Sequence, residues 1–476
     1  MSELDLADLD LSEATMRAFA SEVVDRVVRH LASLEQQPAM GDMDQAAALA
    51  GSAVFAGPCP EEGEELTRIL DPLFDEWVGA SFNAASPGYL AFIPGGGLFP
   101  AGLADLIADG VNRYTGIAEA SPALVALEAQ VLDWLCRLLR LPSGARGLLT
   151  SGGSLATLGA VVAARHRHLG TRLREGVLYT SSQAHHSVAK AAALAGILPD
   201  RQRVLPVDDR HRLRLDALED AIAADRRAGL VPFLVVSAAG TTNTGAVDPL
   251  PAIADLCARE GLWHHCDAAY GGFFYLVDEV APALVGLERA DSVTLDPHKG
   301  LFLPYGTGAL LVRDGEALRA AHAVNAEYLP PLDETRYAPT HYGPELSRPF
   351  RGLRLWLPLK LFGLARFRAA LAEKHALATW CAEGLAAHEG VSLLAPPPLS
   401  LFAFEATAPG RSAVEKSAAT ERWLAAVNER RHVLLSGTRI DGRFFARICV
   451  LCFRTRRRHM EIALRDLLET RDALRW

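Results

Sequence analysis

The chain has 476 residues, half of them hydrophobic, and a formal net charge of −9. That length exceeds a single ordinary core, so two or three lobes are expected. The acidic balance, without a long block of one sign, argues against nucleic acid and against an anionic membrane as partners. No apolar run reaches membrane length, and the acidic start MSELDLADLDLSEATM lacks an apolar leader core. Seven Cys, an odd number without a zinc-type ladder, fit a reducing compartment. The expectation is a cytoplasmic protein.

In chain order, residues 12–34 read as an amphipathic helix that Ser12 can cap, and a second helix follows near 61–79. Residues 1–84 form a helical arm whose apolar stripe needs a second subunit to cover it. From 85 to 370 the pattern is α/β. VPFLVVSA (231–238), a helix over 250–260 and GLWHHCDAAY (261–270) make a βαβ unit, with further strands at 292–296 and 308–314. Runs apolar on both faces predict a mostly parallel, helix-covered sheet. Residues 371–476 read as a small α+β lobe, with helices near 366–389, 413–430 and 457–473 and strands near 399–406 and 444–453.

Four segments carry chemistry. LLTSGGSLATLGAVVAARH (148–166) runs from an apolar stretch through a Ser/Gly turn into a helix, and Gly153 and Ser154 stand where backbone N–H groups bind phosphate. No GK[ST] follows, and no G-x-S-x-G is present. SSQAHHSVAKAA (181–192) offers His185 for stacking on a flat ligand. WHHCDAAYGGF (263–273) ends a buried strand on Asp267, where α/β ligands bind. The neighbouring His264, His265 and Cys266 alternate across the strand and cannot converge on a metal, so no metal is expected. DSVTLDPHKGLFLPYGTGALLVRD (291–314) sets Lys299 in an apolar stretch, where a lysine is costly unless neutralised or used covalently.

Taken together, a phosphate cradle, a stacking imidazole, a strand-end carboxylate and a buried lysine are what pyridoxal phosphate needs. Lys299 would hold it as a Schiff base. Asp267 would keep its ring nitrogen protonated, with His185 and Ala269 on opposite faces of the ring and Gly153 and Ser154 on the phosphate.

At these residues the chain resembles the group II pyridoxal-phosphate decarboxylases, the family of aromatic-L-amino-acid decarboxylases. TSGGSLATL, QAHHSV, GTTNTGAVDPL, HCDAAYGG and DPHKG carry the likeness, which runs from about Ser86 to Arg454. The resemblance implies an aspartate-aminotransferase-like (fold type I) structure and a homodimer with active sites at the interface. It also places Thr242 by the ring, Asp248 in the supporting network and His298 beside Lys299. Tyr328 falls where the family's catalytic loop carries the tyrosine that protonates the carbon that has lost carbon dioxide. The expected reaction is decarboxylation of an L-amino acid to the amine. Oxygen-consuming aldehyde synthesis and other Cα chemistry such as transamination are the alternatives.

The chain departs from the family pattern near the substrate. SPGYLAFIPGGGLFP (86–100) has Gly95 where a polar contact is usual, and Gly300 replaces a tryptophan. Gly95, Gly96 and Gly97 are read as leaving room. The substrate candidates are Phe92, Ile93, Gly95, Phe99 and Tyr114, with Arg348 in the Arg-rich segment SRPFRGLRLWL. They favour an aromatic or bulky apolar amino acid, and a non-standard one remains open.

Overall fold

The computed structural model describes residues 9–52, 55–323 and 335–474. The arm begins with the helix Glu13–Ala32, whose Ser12 Oγ accepts from Thr15 N at 3.1 Å, the expected cap. Nothing on this helix is buried, and Met16, Phe19 and Val23 stand exposed at helical spacing. The second expected helix is shorter, Leu66–Pro72. Pro72 cannot donate to the ladder, and the chain winds on as a wider π turn over Leu73–Trp77. A short helix at Met43–Ala50, capped by Asp42, was not foreseen.

The large sheet contains β1 (Arg146–Thr150), β2 (Gly176–Ser181), β3 (Gln202–Leu205), β4 (Val231–Ala238), β5 (Trp263–Asp267), β6 (Ser292–Leu295) and β7 (Gly308–Val312). Their order is β1-β7-β6-β5-β4-β2-β3. The strands from β6 through β3 pair in parallel, and β7 runs antiparallel to both neighbours. Successive residues face opposite cores. Leu311 and Val293 pack on one side, and Leu310 and Val312 on the other. This is the α/β, mostly parallel architecture expected from runs apolar on both faces.

The small sheet, β8 (Val391–Leu393), β9 (Leu401–Ala406), β10 (Ser436–Ile440) and β11 (Arg443–Cys449), is wholly antiparallel. Asp441 and Gly442, both at positive φ, close its β10–β11 hairpin. Ser412 and Glu415 form a reciprocal capping box on the helix Ala413–Glu429.

The helix expected from 366 follows Gly363 and runs to Ala386, and a further helix beginning at Arg351 leads into it. Gly363, at φ 69°, kinks the junction, so this pair of helices crosses residue 370 and packs on both lobes. The left-handed conformation is open to glycine at little cost. Among the described residues, no helix is long and apolar enough to cross a membrane.

Candidate active site

Parallel strands deliver their carboxyl ends to one edge, and that is where the site forms. A cavity of about 370 Å³ opens there, lined among others by Gly153, Ser154, His185, Thr242, Asp267, Ala269, His298 and Lys299. Every cofactor-side residue expected from the sequence therefore faces one space. Ser151, Thr241, Tyr270 and Asp296 line it as well.

One wall of the cavity is the start of the helix Gly153–Leu169, which has no side-chain cap. No side chain caps the N–H groups of Gly153 and Ser154, the arrangement that an anion can use. The approach is close: a Cβ on Gly153 would lie 3.3 Å from Ala269 Cβ and 3.1 Å from Asp296 Oδ2. A backbone cradle, a strand-end acid and a lysine in one cavity fit pyridoxal phosphate.

Asp267 ends β5 between Ala238 of β4 and Thr294 of β6, and its Oδ1 accepts from Ala269 N at 3.1 Å. Asp248 stands behind this edge, buried, and accepts from Leu213 N and Ala238 N at 2.7 Å each. Burial pushes its carboxyl up to about 6 despite those bonds. It therefore clamps the end of β4 rather than lining the cavity.

His185 Nδ1 accepts from Ser187 N at 3.3 Å and lies 2.8 Å from Ser187 Oγ. The proton of the neutral ring therefore belongs on Nε2. Burial lowers this imidazole's proton affinity, the Asp267 charge partly opposing it. His298 has the opposite tautomer, with Nδ1 donating to Thr307 O at 2.5 Å. Burial lowers its proton affinity too, Asp296 opposing.

Lys299 sits on the turn Pro297–Gly300, and its Nζ pairs with Asp296 Oδ2 at 2.9 Å. Sequence reasoning gave Asp296 no role. The i, i+3 spacing in DPHK was the available signal, since such residues meet on one helical turn.

The two histidines before Cys266 are structural. His265 lies 2.8 Å from Ser292 Oγ and 3.2 Å from Thr294 Oγ1, and His264 lies 2.8 Å from Ser237 Oγ. Burial pushes both down to about 4, leaving them neutral in the sheet.

The substrate-side residues lie elsewhere, and none lines the cavity within one chain. Ile93 is part of the large core. Phe92, at φ 53°, and Tyr114 are exposed, and Phe99 is half-buried in the first turn of the helix Phe99–Val111. Arg348 is not open to a ligand, because its Nη2 lies 2.8 Å from Glu128 Oε1 with both side chains 1% exposed.

Two glycine readings are also corrected. A Cβ on Gly95 would fall 2.0 Å from the His298 carbonyl oxygen, and one on Gly96 2.7 Å from Cys452 Sγ. These glycines permit close packing rather than leaving room; of the three, only Gly97 has open space. Beside Gly300 the space belongs to Phe273, whose Cβ would be 2.7 Å from an added Cβ. Gly95→Ala should therefore lower stability by about 1–3 kcal/mol through overpacking. Thermal denaturation checks this, and an unchanged midpoint would contradict the close approach.

Comparison with known proteins agrees with this geometry. Residues 58–407 match the model of the pyridoxal-dependent decarboxylase conserved domain. The chain is 31% identical to the aromatic-L-amino-acid decarboxylase of Bacillus atrophaeus, covering 94% of each. It is 26% identical to the phenylacetaldehyde synthase of Arabidopsis thaliana, covering 95% of each. The crystal structure of Oryza sativa TDC with PLP and tryptamine superposes with a TM-score of 0.92 at 27% identity, over 98% of this chain and 99% of that one. The chain belongs to the pyridoxal-dependent decarboxylase family. It is a fold type I, pyridoxal-phosphate-dependent amino acid decarboxylase, a lyase.

Proposed function

We propose that the substrate is an L-amino acid with an aromatic or bulky apolar side chain, converted to its amine and carbon dioxide. The observation that carries this reading is the convergence of Lys299, Asp267 and His185 on one cavity at the carboxyl edge of the sheet. Relatives named for aromatic amino acids support the substrate class.

Bound pyridoxal phosphate supplies a conjugated ring that accepts the electron pair of the broken Cα–carboxylate bond. Lys299 Nζ would be the covalent anchor of the cofactor and, when not so engaged, an amine held beside the substrate by Asp296 Oδ2. Asp267 offers its carboxylate to the ring nitrogen and keeps a proton there. His185 covers one face, and its Nε2–H is the donor available to a substrate carboxylate, since Nδ1 is held by Ser187. Ala269, being small, lets the ring lie close on the other face. Gly153 and Ser154 hold the phosphate, and Thr242 borders the ring.

Tyr328 lies outside the described residues. In this proposal its phenol gives a proton to Cα once carbon dioxide has left. Tyr328→Phe should divert product from amine to aldehyde with peroxide; an unchanged amine yield would remove it from that role. Aldehyde synthesis is the second reading, favoured by the relative named phenylacetaldehyde synthase. Assay of an amino-acid panel for amine, carbon dioxide and peroxide together separates the two, and transamination would appear as products without carbon dioxide.

The working unit we propose is a homodimer in the cytoplasm, with arm 1–84, large domain 85–370 and small domain 371–476. The exposed stripe Met16, Phe19 and Val23 supports the contact. Docking of a second subunit would also let Phe92 and Tyr114 border an active site from outside. The free cysteines, all but Cys59 buried, support a reducing compartment.

A further inference from the structure

After β4 the chain makes a tight turn over residues 241–245 that is stiff within itself. Thr241 O accepts from Gly245 N at 2.8 Å, and Gly240 N and Thr241 N donate to Ala246 O at 3.1 and 2.9 Å. The hydroxyls of Thr241 and Thr244 lie 2.7 Å apart. Thr241 and Thr242 line the cavity, so the seat of the turn decides where they stand. That seat is the small lobe. Gly245, at φ 76°, lies so close to β9 that an added Cβ would be 3.0 Å from Leu401 O.

The small lobe also grips the turn through polar groups. Arg447 of β11 is buried, and it donates from Nη2 to Thr242 O at 2.6 Å and from Nη1 to Ser436 Oγ at 2.8 Å. Thr438 Oγ1 of β10 donates to Asn243 Oδ1 at 2.9 Å. The other end of that amide carries the connection onward, for Asn243 Nδ2 donates to Gln183 Oε1 at 3.2 Å. Gln183 is buried in the turn that leads from β2 to His185, where Ala184 N donates to Ser181 O at 3.1 Å. A carboxamide suits this place because it accepts at one end and donates at the other. Asn243 thus joins the small lobe to the two turns that present Thr242 and His185, and the mechanism above gives it no part.

We propose that Asn243 is a positioning residue, through which the small lobe sets where Thr242 and His185 stand beside the cofactor ring. Asn243 does not itself line the cavity. It acts through its neighbours, and a displacement of about 1 Å in orienting groups is enough to lower a rate. Arg447 holds the main chain of the turn separately, so cutting the relay at Thr438 moves these residues without releasing the turn. The inference rests on the reading of this cavity as the decarboxylation site.

The test uses the full chain loaded with pyridoxal phosphate, as wild type, Thr438→Val, Thr438→Ser, Asn243→Ala and the double variant Thr438→Val with Asn243→Ala. Valine keeps the shape and strand preference of threonine and lacks the donor, whereas serine keeps the donor. The readouts are the visible circular dichroism of the bound cofactor, kcat/KM with L-tryptophan, L-tyrosine and L-phenylalanine, and the melting temperature. Thr438→Val should change the cofactor's ellipticity and lower kcat/KM by about two- to tenfold, the range set by one lost hydrogen bond. Asn243→Ala should do at least as much, Thr438→Ser should restore wild-type values, and Thr438→Val should add nothing once Asn243 is gone. Wild-type ellipticity and kcat/KM in Thr438→Val, even with a lower melting temperature, overturn the inference, as do losses that multiply in the double variant. If wild type decarboxylates none of these amino acids, the substrate reading fails, and the cofactor's ellipticity decides the inference by itself. If Asn243→Ala does not fold, the contrast between Thr438→Val and Thr438→Ser decides it.

Discussion

Lys299→Ala should lose the visible absorbance of the lysine-linked cofactor and at least about 10³-fold in turnover, equivalent to about 4 kcal/mol of transition-state stabilisation. Two functions are removed together. The amine that anchors the cofactor is gone, and so is the group that returns to release product. The fold should survive, because Lys299 is partly exposed and, among the described residues, its ion pair is with Asp296. Asp296 is left buried without its cation, so a modest drop in melting temperature is expected as well. Absorbance and turnover should be measured on the same preparation. Retention of both would refute the lysine assignment.

Removing either member of the Arg348–Glu128 pair should destabilise the chain by about 3–5 kcal/mol, since each deletion leaves an uncompensated buried charge. Both side chains are 1% exposed. Burial would otherwise lower the Arg348 guanidinium's hold on its proton, but the neighbouring Glu128 carboxylate reverses this and raises it. Glu128 Oε2 also accepts from Gly352 N at 3.1 Å, so the pair anchors the start of the helix Arg351–Ala386. Replacing both residues by apolar ones of similar volume should recover most of the loss. Urea denaturation of the two single variants and the double variant checks this. Single variants as stable as wild type would show that the pair is not a buried lock. A substrate role for Arg348 predicts the opposite pattern, with KM rising and stability unchanged.

The cofactor side of the site was legible because each of its parts is local. Gly153 and Ser154 open a helix, Asp267 ends a strand, and Lys299 follows a strand within one turn. A parallel sheet brings such ends to one edge whatever their separation in sequence. The same reasoning recovered the paired β4 and β5 and the cap at Ser12. Asp296 was overlooked because a carboxylate beside a proline reads as a turn residue until its contact with Lys299 is seen. The helix at Arg351 was missed because its first stretch was read as a block of resemblance, and Gly363 interrupts its pattern.

What the sequence by itself determined is the chemistry: a lysine, an acid, an imidazole and a glycine-rich helix start, in the order and local settings that pyridoxal phosphate requires. These depend on short-range rules of strand alternation and helix initiation, which a sequence displays directly. What only the tertiary structure decided is the fate of residues whose neighbours come from distant segments. Gly95 proved to be pressed against the His298 carbonyl, Arg348 locked to Glu128. Whether a glycine leaves space or an arginine is free depends on what the fold packs beside it, and side-chain type alone does not encode that.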